Sequence, residues 1–221
     1  MDNATPMPAC VIFDIDGTLT RTNELIFAAF NHVAEKHLGR RFEPPEIIAL
    51  FGPPEEGALV KVFGPDNLDQ VMEDLLTFYA TNHDSMASLH RGMDHVLRYL
   101  KSRGVKLAVF TGKGRHTARI TLEALHIAGF FDLIVSGNDV VHHKPHPEGI
   151  LQVLETFNLK PRDALMVGDS LSDINASRAA GVPIASVLWD CYDLTGIRNA
   201  RPDYLFERVE DMLEWFTGKR N

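Results

Sequence analysis

The chain is 221 residues long, with 45% hydrophobic and 24% charged residues and a formal net charge of −8. That length suits one large domain or a core with a modest insertion. The acidic balance excludes the broad basic face that a nucleic-acid partner needs, but not an anionic substrate, because a bound cation reverses the field locally.

Cys10 and Cys191 are too far apart in sequence to read as a disulfide framework or a paired metal site. Cys10 opens an apolar run, where cysteine packs as a small hydrophobe. Residues 1–9 carry no basic segment leading into a long apolar stretch, and no run approaches the ~18 apolar residues of a membrane span. A reducing cytoplasm is the expected compartment, with no membrane partner. Nothing in the sequence specifies an oligomeric state.

Cys10-Val11-Ile12-Phe13 is a continuous apolar run, the pattern of a strand buried on both faces of a parallel sheet. It ends in Asp14-Ile15-Asp16-Gly17-Thr18. A helix is expected from near Asn23, with Ile26, Phe30, Val33 and His37 at helical spacing and Gly39 as its stop. Residues 42–88 hold further helical stripes, among them Val71, Leu75, Phe78 and Tyr79. Phe51-Gly52-Pro53-Pro54 and Phe63-Gly64-Pro65-Asp66 break them, and nothing there reads as a strand.

From Met93 the pattern changes. Met93, Val96, Leu97 and Leu100 mark a helix that closes at Gly104, followed by a strand over 105–110 and by Thr111-Gly112-Lys113-Gly114 leading into another helix. A third strand covers 133–135, and the helix after it carries Ile150, Leu154 and Phe157, with Pro147 in its first turn. A fourth strand, 164–167, runs into Gly168-Asp169-Ser170, and the next helix stops near Gly181. A strand over 184–187 follows, and a small one near Tyr204-Leu205. Alternating strand and helix predicts an α/β fold, a parallel sheet with helices on both faces. The helical stretch after the first strand reads as an insertion. The expected division is a core of residues 1–20 and 88–221 and an α-helical cap of residues 21–87.

In doubly wound sheets, ligands bind beyond the carboxyl ends of the strands. Those ends here lead to Asp14 and Asp16, to Thr111, to Lys144 and to Asp169 and Asp173. Asp14 and Asp16 are two apart in an extended segment, and Asp169 and Asp173 are four apart at a helix start, so each pair shares a side. Two unit charges about 4 Å apart at an effective dielectric near 20 repel by roughly 4 kcal/mol, so such a cluster calls for a cation. Oxygen ligands in a polar cleft suit Mg²⁺. A carboxylate kept ionised there can attack phosphorus, a neighbouring carboxyl can donate a proton to the leaving group, and Lys144 supplies a point charge. Thr111 supplies a hydroxyl, caps the next helix, and leads to backbone N–H groups that suit phosphate oxygens.

Asp14-Ile15-Asp16-Gly17-Thr18-Leu19 resembles the first motif of the haloacid dehalogenase-type hydrolases. Thr111 matches the second motif, Lys144 the third, and Gly168-Asp169-Ser170-Leu171-Ser172-Asp173 the fourth, in order and over nearly the whole chain. The resemblance implies a Rossmann-like core with a helical cap. It implies Asp14 as nucleophile and metal ligand, and Asp16 as general acid/base with its main-chain carbonyl on the metal. Thr111 and Lys144 would hold the transferring phosphoryl group, and Asp169 and Asp173 would bind Mg²⁺, the latter directly or through water.

Within the superfamily the chain is similar to the phosphoglycolate phosphatase-like group. Thr22-Asn23-Glu24-Leu25-Ile26, Phe51-Gly52-Pro53-Pro54 and Val140-Val141-His142-His143-Lys144-Pro145 also look like its bacterial pyrophosphatase branch. That likeness sets Asn23, Glu24, Gly52 and Pro53 over the active site as substrate contacts, with Gly112 beside Thr111. Gly112 stands where the family often has Asn or Ser. Arg21, Arg40, Arg41 and Lys61 are further polar residues of the cap region that could read a substrate. His142, His143 and His146 do not have the spacing of helical zinc-ligand pairs. The expected activity is Mg²⁺-dependent hydrolysis of a small phosphate monoester of the phosphoglycolate kind. Inorganic pyrophosphatase, a sugar-phosphate mutase and a non-catalytic binding protein are the alternatives.

Overall fold

The computed structural model describes residues 7–218; the extreme ends of the expected core, and most of the segment 1–9, lie outside the described residues. The chain opens with β1 (Cys10–Phe13) and a two-residue strand β2 (Thr20–Arg21), then four helices, α1 (Asn23–Leu38), α2 (Pro44–Ile48), α3 (Glu55–Phe63) and α4 (Leu68–Met86). A short β3 (Ser88–Leu89) returns to pair antiparallel with β2. The remainder alternates: α5 (Met93–Ser102), β4 (Lys106–Phe110), α6 (Arg115–Ala124), β5 (Leu133–Val135), α7 (Glu148–Phe157), β6 (Ala164–Gly168), α8 (Leu171–Ala180) and β7 (Ile184–Val187). It closes with α9 (Leu194–Ala200), β8 (Tyr204–Phe206) and α10 (Val209–Thr217).

Six strands form a parallel sheet in the order β5-β4-β1-β6-β7-β8. Its side chains alternate between two cores, as the pleat requires. Val11, Phe13, Leu107, Val109, Leu165 and Val167 face α5, α6 and α10. Cys10, Ile12, Ala108, Phe110 and Met166 face α7, α8 and α9. Both faces are covered, which is why these strands read as unbroken apolar runs. α1 to α4 pack around a separate cluster that includes Leu25, Phe30, Leu59, Leu75 and Tyr79. Among the described residues no helix is long and apolar enough to cross a membrane.

Three departures from the sequence reading are local. The β2–β3 ladder was not expected; two residues per strand carry no readable period. Pro147 stands at the N-cap of α7 rather than inside its first turn. α6 is preceded by Gly114, not Thr111, so Thr111 does not cap it.

Candidate active site

Strand register sets the site. Phe13 pairs with Val109 on one side and Val167 on the other, so β4, β1 and β6 end at a common level. Asp14, the residue after β1, donates its backbone N–H to Val167 O at 3.0 Å, and Thr111, the residue after β4, donates its own to Val135 O at 3.0 Å. Asp169 is the residue after β6. The order of strands reverses between β4 and β6 around β1, the position where an open α/β sheet leaves a crevice. A cavity of about 190 Å³ lies there, lined by Asp14, Asp16, Thr111, Gly112, Lys144 and Asp169 from the strand ends, and by residues of the helical layer above.

The turn after β1 is shaped around Asp169. Gly17 has φ +77°, and a Cβ on it would stand 2.4 Å from Asp169 Oδ2, so only glycine fits both the conformation and the approach. Thr18 Oγ1 donates to Asp169 Oδ1 at 2.9 Å. Asp173 is fully buried at the third position of α8, where it completes a capping box: its Oδ2 accepts from Ser170 N at 3.1 Å and from Ser170 Oγ at 2.5 Å. Lys144 Nζ donates to Asp173 Oδ1 at 2.6 Å and forms an ion pair with Asp14 Oδ1 at 3.0 Å. The loop that presents Lys144 is held by Glu148, whose carboxylate accepts from the N–H groups of Val141 and His142 and from the His142 ring. His146 lies against the same carboxylate. These histidines shape the loop beside the cavity without lining it.

Burial dominates the charge balance, and the neighbouring charges add to it or oppose it. Burial raises the Asp14 carboxyl to about 6, with Lys144 opposing the shift and Asp173 and Asp16 adding to it. Asp169 is held well above the usual carboxylate range by burial and then by Asp14 and Asp173. Burial works against the charged form of Lys144, but Asp14 and Asp173 outweigh it and hold the ammonium protonated. Asp14, Asp169 and Asp173 each offer an oxygen, and the three lie within 4.8 Å of one another. Asp14 Oδ1 is buried, and among the described residues the Lys144 ammonium at 3.0 Å is the one donor it meets. Three carboxylates gathered in a buried pocket with one ammonium between two of them are costly, and their all-oxygen donor set fits a hard divalent cation.

Asp16 lies apart from that trio. Both its oxygens are 3.2 Å from Lys113 Nζ, and Thr22 Oγ1 donates to Oδ1. Lys113 was not anticipated from the sequence, nor was Glu55, which reaches from α3 to the start of α6. Glu55 accepts from Gly114 N at 2.7 Å and from Thr117 Oγ1 at 2.6 Å. The N–H groups expected to meet phosphate at that helix start are thus partly engaged: Gly114 N by Glu55 and Arg115 N by Asn138 Oδ1.

Of the expected substrate contacts, Asn23, Gly52, Pro53 and Gly112 line the cavity, and Glu24 does not. On α1 the inward stripe is Asn23, Ile26 and Phe30; Glu24, one residue on, is rotated by about 100° and exposed. Arg21, Arg40, Arg41 and Lys61 are exposed and absent from the lining. Phe51 and Tyr192 of the lining join Phe27 in an aromatic group, with ring centroids 6.2–6.3 Å apart.

A family model described as haloacid dehalogenase-like hydrolase matches residues 11–187. Pyrophosphatase PpaX of Anoxybacillus flavithermus is 32% identical over 203 residues, covering 92% of this chain and 94% of that one. Pyrophosphatase PpaX of Bacillus pumilus is 34% identical over 206 residues, again covering 92% and 94%. A solved structure from Haemophilus somnus, described as a predicted phosphoglycolate phosphatase, superposes with a TM-score of 0.83 at 22% identity, covering 95% of this chain and 98% of that one, a likeness of fold. The match over residues 11–187, joined to relatives that align along most of their length, makes this protein a member of the haloacid dehalogenase-like hydrolase family.

Proposed function

We propose that the protein is a Mg²⁺-dependent phosphohydrolase that works through an aspartyl-phosphate on Asp14, with residues 21–87 acting as a cap over a core of residues 1–20 and 88–221. The observation that carries this reading is the convergence of Asp14, Asp169 and Asp173, one oxygen of each within 4.8 Å of the others, at a cavity that Thr111 and Lys144 also line. Asp14, Asp169 and the main-chain carbonyl of Asp16 would hold the ion, with Asp173 behind them. When bound, Mg²⁺ offsets the charge of these carboxylates and of the substrate phosphate.

The chain's own residues supply the rest. A carboxylate oxygen of Asp14 forms a bond to phosphorus as the bond from phosphorus to the leaving oxygen breaks, Asp16 passing its proton to that oxygen. Thr111 Oγ1 already accepts from Lys113 N at 3.3 Å, so its proton is available to a phosphoryl oxygen. Lys144 offsets the charge gathering on the transferred group. Water then attacks the same phosphorus, its proton passing to Asp16, and the bond from Asp14 to phosphorus breaks to restore the carboxylate and release phosphate. The contacts of Phe27 with Tyr192 and of Glu55 with the start of α6 hold the cap against the core, keeping bulk water from the intermediate.

A small phosphate monoester of the phosphoglycolate kind fits a cavity of this size. Inorganic pyrophosphate is a second reading, supported by the names of relatives above 30% identity. The unpaired cysteines Cys10 and Cys191 agree with a reducing cytoplasm. The test is phosphate release from an aryl phosphate, phosphoglycolate and pyrophosphate with Mg²⁺ present. Chelator is expected to abolish release, and Asp14→Asn to lower kcat by about 10³-fold or more. Full activity in Asp14→Asn would overturn the mechanism.

A further inference from the structure

We infer that Lys113 is a subsite for a second anionic group on the substrate, carried by the leaving group, and so a specificity residue of the proposed phosphohydrolase, on which this inference rests. Among the described residues lining the cavity, the cationic side chains are Lys113 and Lys144. Lys144 is engaged by Asp14 and Asp173 at the phosphoryl end. That leaves Lys113 as the cation for anything beyond the scissile phosphorus.

Its surroundings hold the ammonium in place without using it up. The Lys113 side chain is only 2% exposed, although it contributes to the cavity wall. Nζ sits 3.2 Å from both Asp16 oxygens and 4.7 Å from the centre of the Tyr79 ring, whose hydroxyl pairs with Thr121 Oγ1 at 2.9 Å. An ammonium has three N–H donors; Asp16 and the ring account for part of that capacity and fix its direction. Tyr79 belongs to α4 and Thr121 to α6, so the aim of Lys113 depends on the helical layer being seated on the core.

The helical layer lines the cavity with apolar Ile26, Phe30, Leu50 and Ala58, with polar Asn23 and with acidic Glu55, and supplies no cation of its own among the described residues. Such a wall gives an anionic leaving group no other counter-charge, and in a low-dielectric site the missing charge is felt strongly. A phosphoryl or carboxylate oxygen beyond the scissile bond would compete with Asp16 for Lys113. A neutral or aryl leaving group would rest on Ile26, Phe30, Leu50 and Ala58 and leave the Lys113–Asp16 pair intact. Lys113 thereby separates substrates by the charge of the part that departs.

The experiment compares Lys113→Met and Lys113→Arg with the wild type, all with Mg²⁺. Turnover is measured on pyrophosphate, phosphoglycolate and an uncharged aryl phosphate. In parallel, calorimetry follows binding of methylenediphosphonate, 3-phosphonopropionate and inorganic phosphate. Lys113→Met is expected to lower kcat/KM for the doubly anionic substrates relative to the aryl phosphate by about 30-fold or more, mostly through KM. Lys113→Arg should restore part of it. The preference for the two-anion ligands over inorganic phosphate should vanish in Lys113→Met, and the two ligands tell whether the second anion is a phosphonate or a carboxylate. An unchanged substrate ratio together with an unchanged ligand preference would overturn the inference and reduce Lys113 to positioning Asp16. A wild type inactive on every ester refutes the phosphohydrolase reading alone; ligand binding then decides on Lys113. Should Lys113→Met fail to fold, Lys113→Gln carries the same comparison.

Discussion

Gly112 sits where the Gly52 loop crosses the end of β4, and a Cβ built on it would stand 2.8 Å from Gly52 O. Gly137 has the same tightness against Gly112 O, at 2.5 Å. The departure from the family's usual Asn or Ser at 112 thus has a steric reason: the loop occupies the space a side chain would need. Gly112→Ser is expected to push the loop and Pro53 outward, lowering kcat/KM by about 10- to 100-fold while leaving the melting temperature nearly unchanged. Steady-state kinetics beside a thermal melt checks this, and wild-type kcat/KM would mean that the close approach plays no part in turnover. At this scale the sequence was legible where residue types sit next to strand ends. Asp14, Thr111, Lys144 and Asp169 could be picked out because each follows, or lies in the loop after, a recognisable apolar run. Lys113 carried the same signal, two residues after Thr111 at a strand end, but its meaning depends on Asp16, 97 positions away. Glu55 reads locally as an ordinary acid in the first turn of a helix, and only the tertiary structure brings it to α6.

Elements buried on both sides were the most legible. The runs that became β1, β4, β6 and β7 have one explanation, a strand covered by helices above and below. α10 had a clear stripe in Val209, Met212 and Phe216, yet both it and α9 escaped notice. Each is short, and the 3.6-residue period has little room to repeat. The seam between α7 and β4 is a packing test at this scale. Gly149 lies against Phe110, and a Cβ there would fall 2.2 Å from the Phe110 ring, which also lies under the Lys144 ammonium at 5.0 Å. Alanine is favoured over glycine in a helix by about 1 kcal/mol. The clash is with a ring locked in the core, and overpacking of that kind costs about 1–3 kcal/mol. Gly149→Ala is therefore expected to lower the urea midpoint with an unchanged m-value. A raised midpoint would mean that helix propensity outweighs the clash.

For the molecule as a whole, the net charge of −8 is an average that hides where the charge matters. Most acidic side chains are solvated, while Asp14, Asp169 and Asp173 are gathered under the cavity with Lys144 as their ammonium partner. Three carboxylates against one ammonium leave negative charge uncompensated, which adds to burial in raising the Asp14 and Asp169 carboxyls. The fold accepts this strain at the point where a cation would relieve it, so stability and loading are linked. Magnesium at about 100 times its dissociation constant should stabilise the protein by roughly 2.7 kcal/mol. For a chain of this length that corresponds to a rise of about 5–10 °C in melting temperature. Asp169→Asn removes one of the repelling charges and keeps an oxygen able to accept from Thr18 Oγ1. Without the ion it should melt no lower than the wild type, and with the ion it should gain little. Calorimetric melts of both proteins, with magnesium and with chelator, separate these cases. If the wild type is indifferent to magnesium, or Asp169→Asn responds as fully as the wild type, the buried acidic cluster is not where the ion binds.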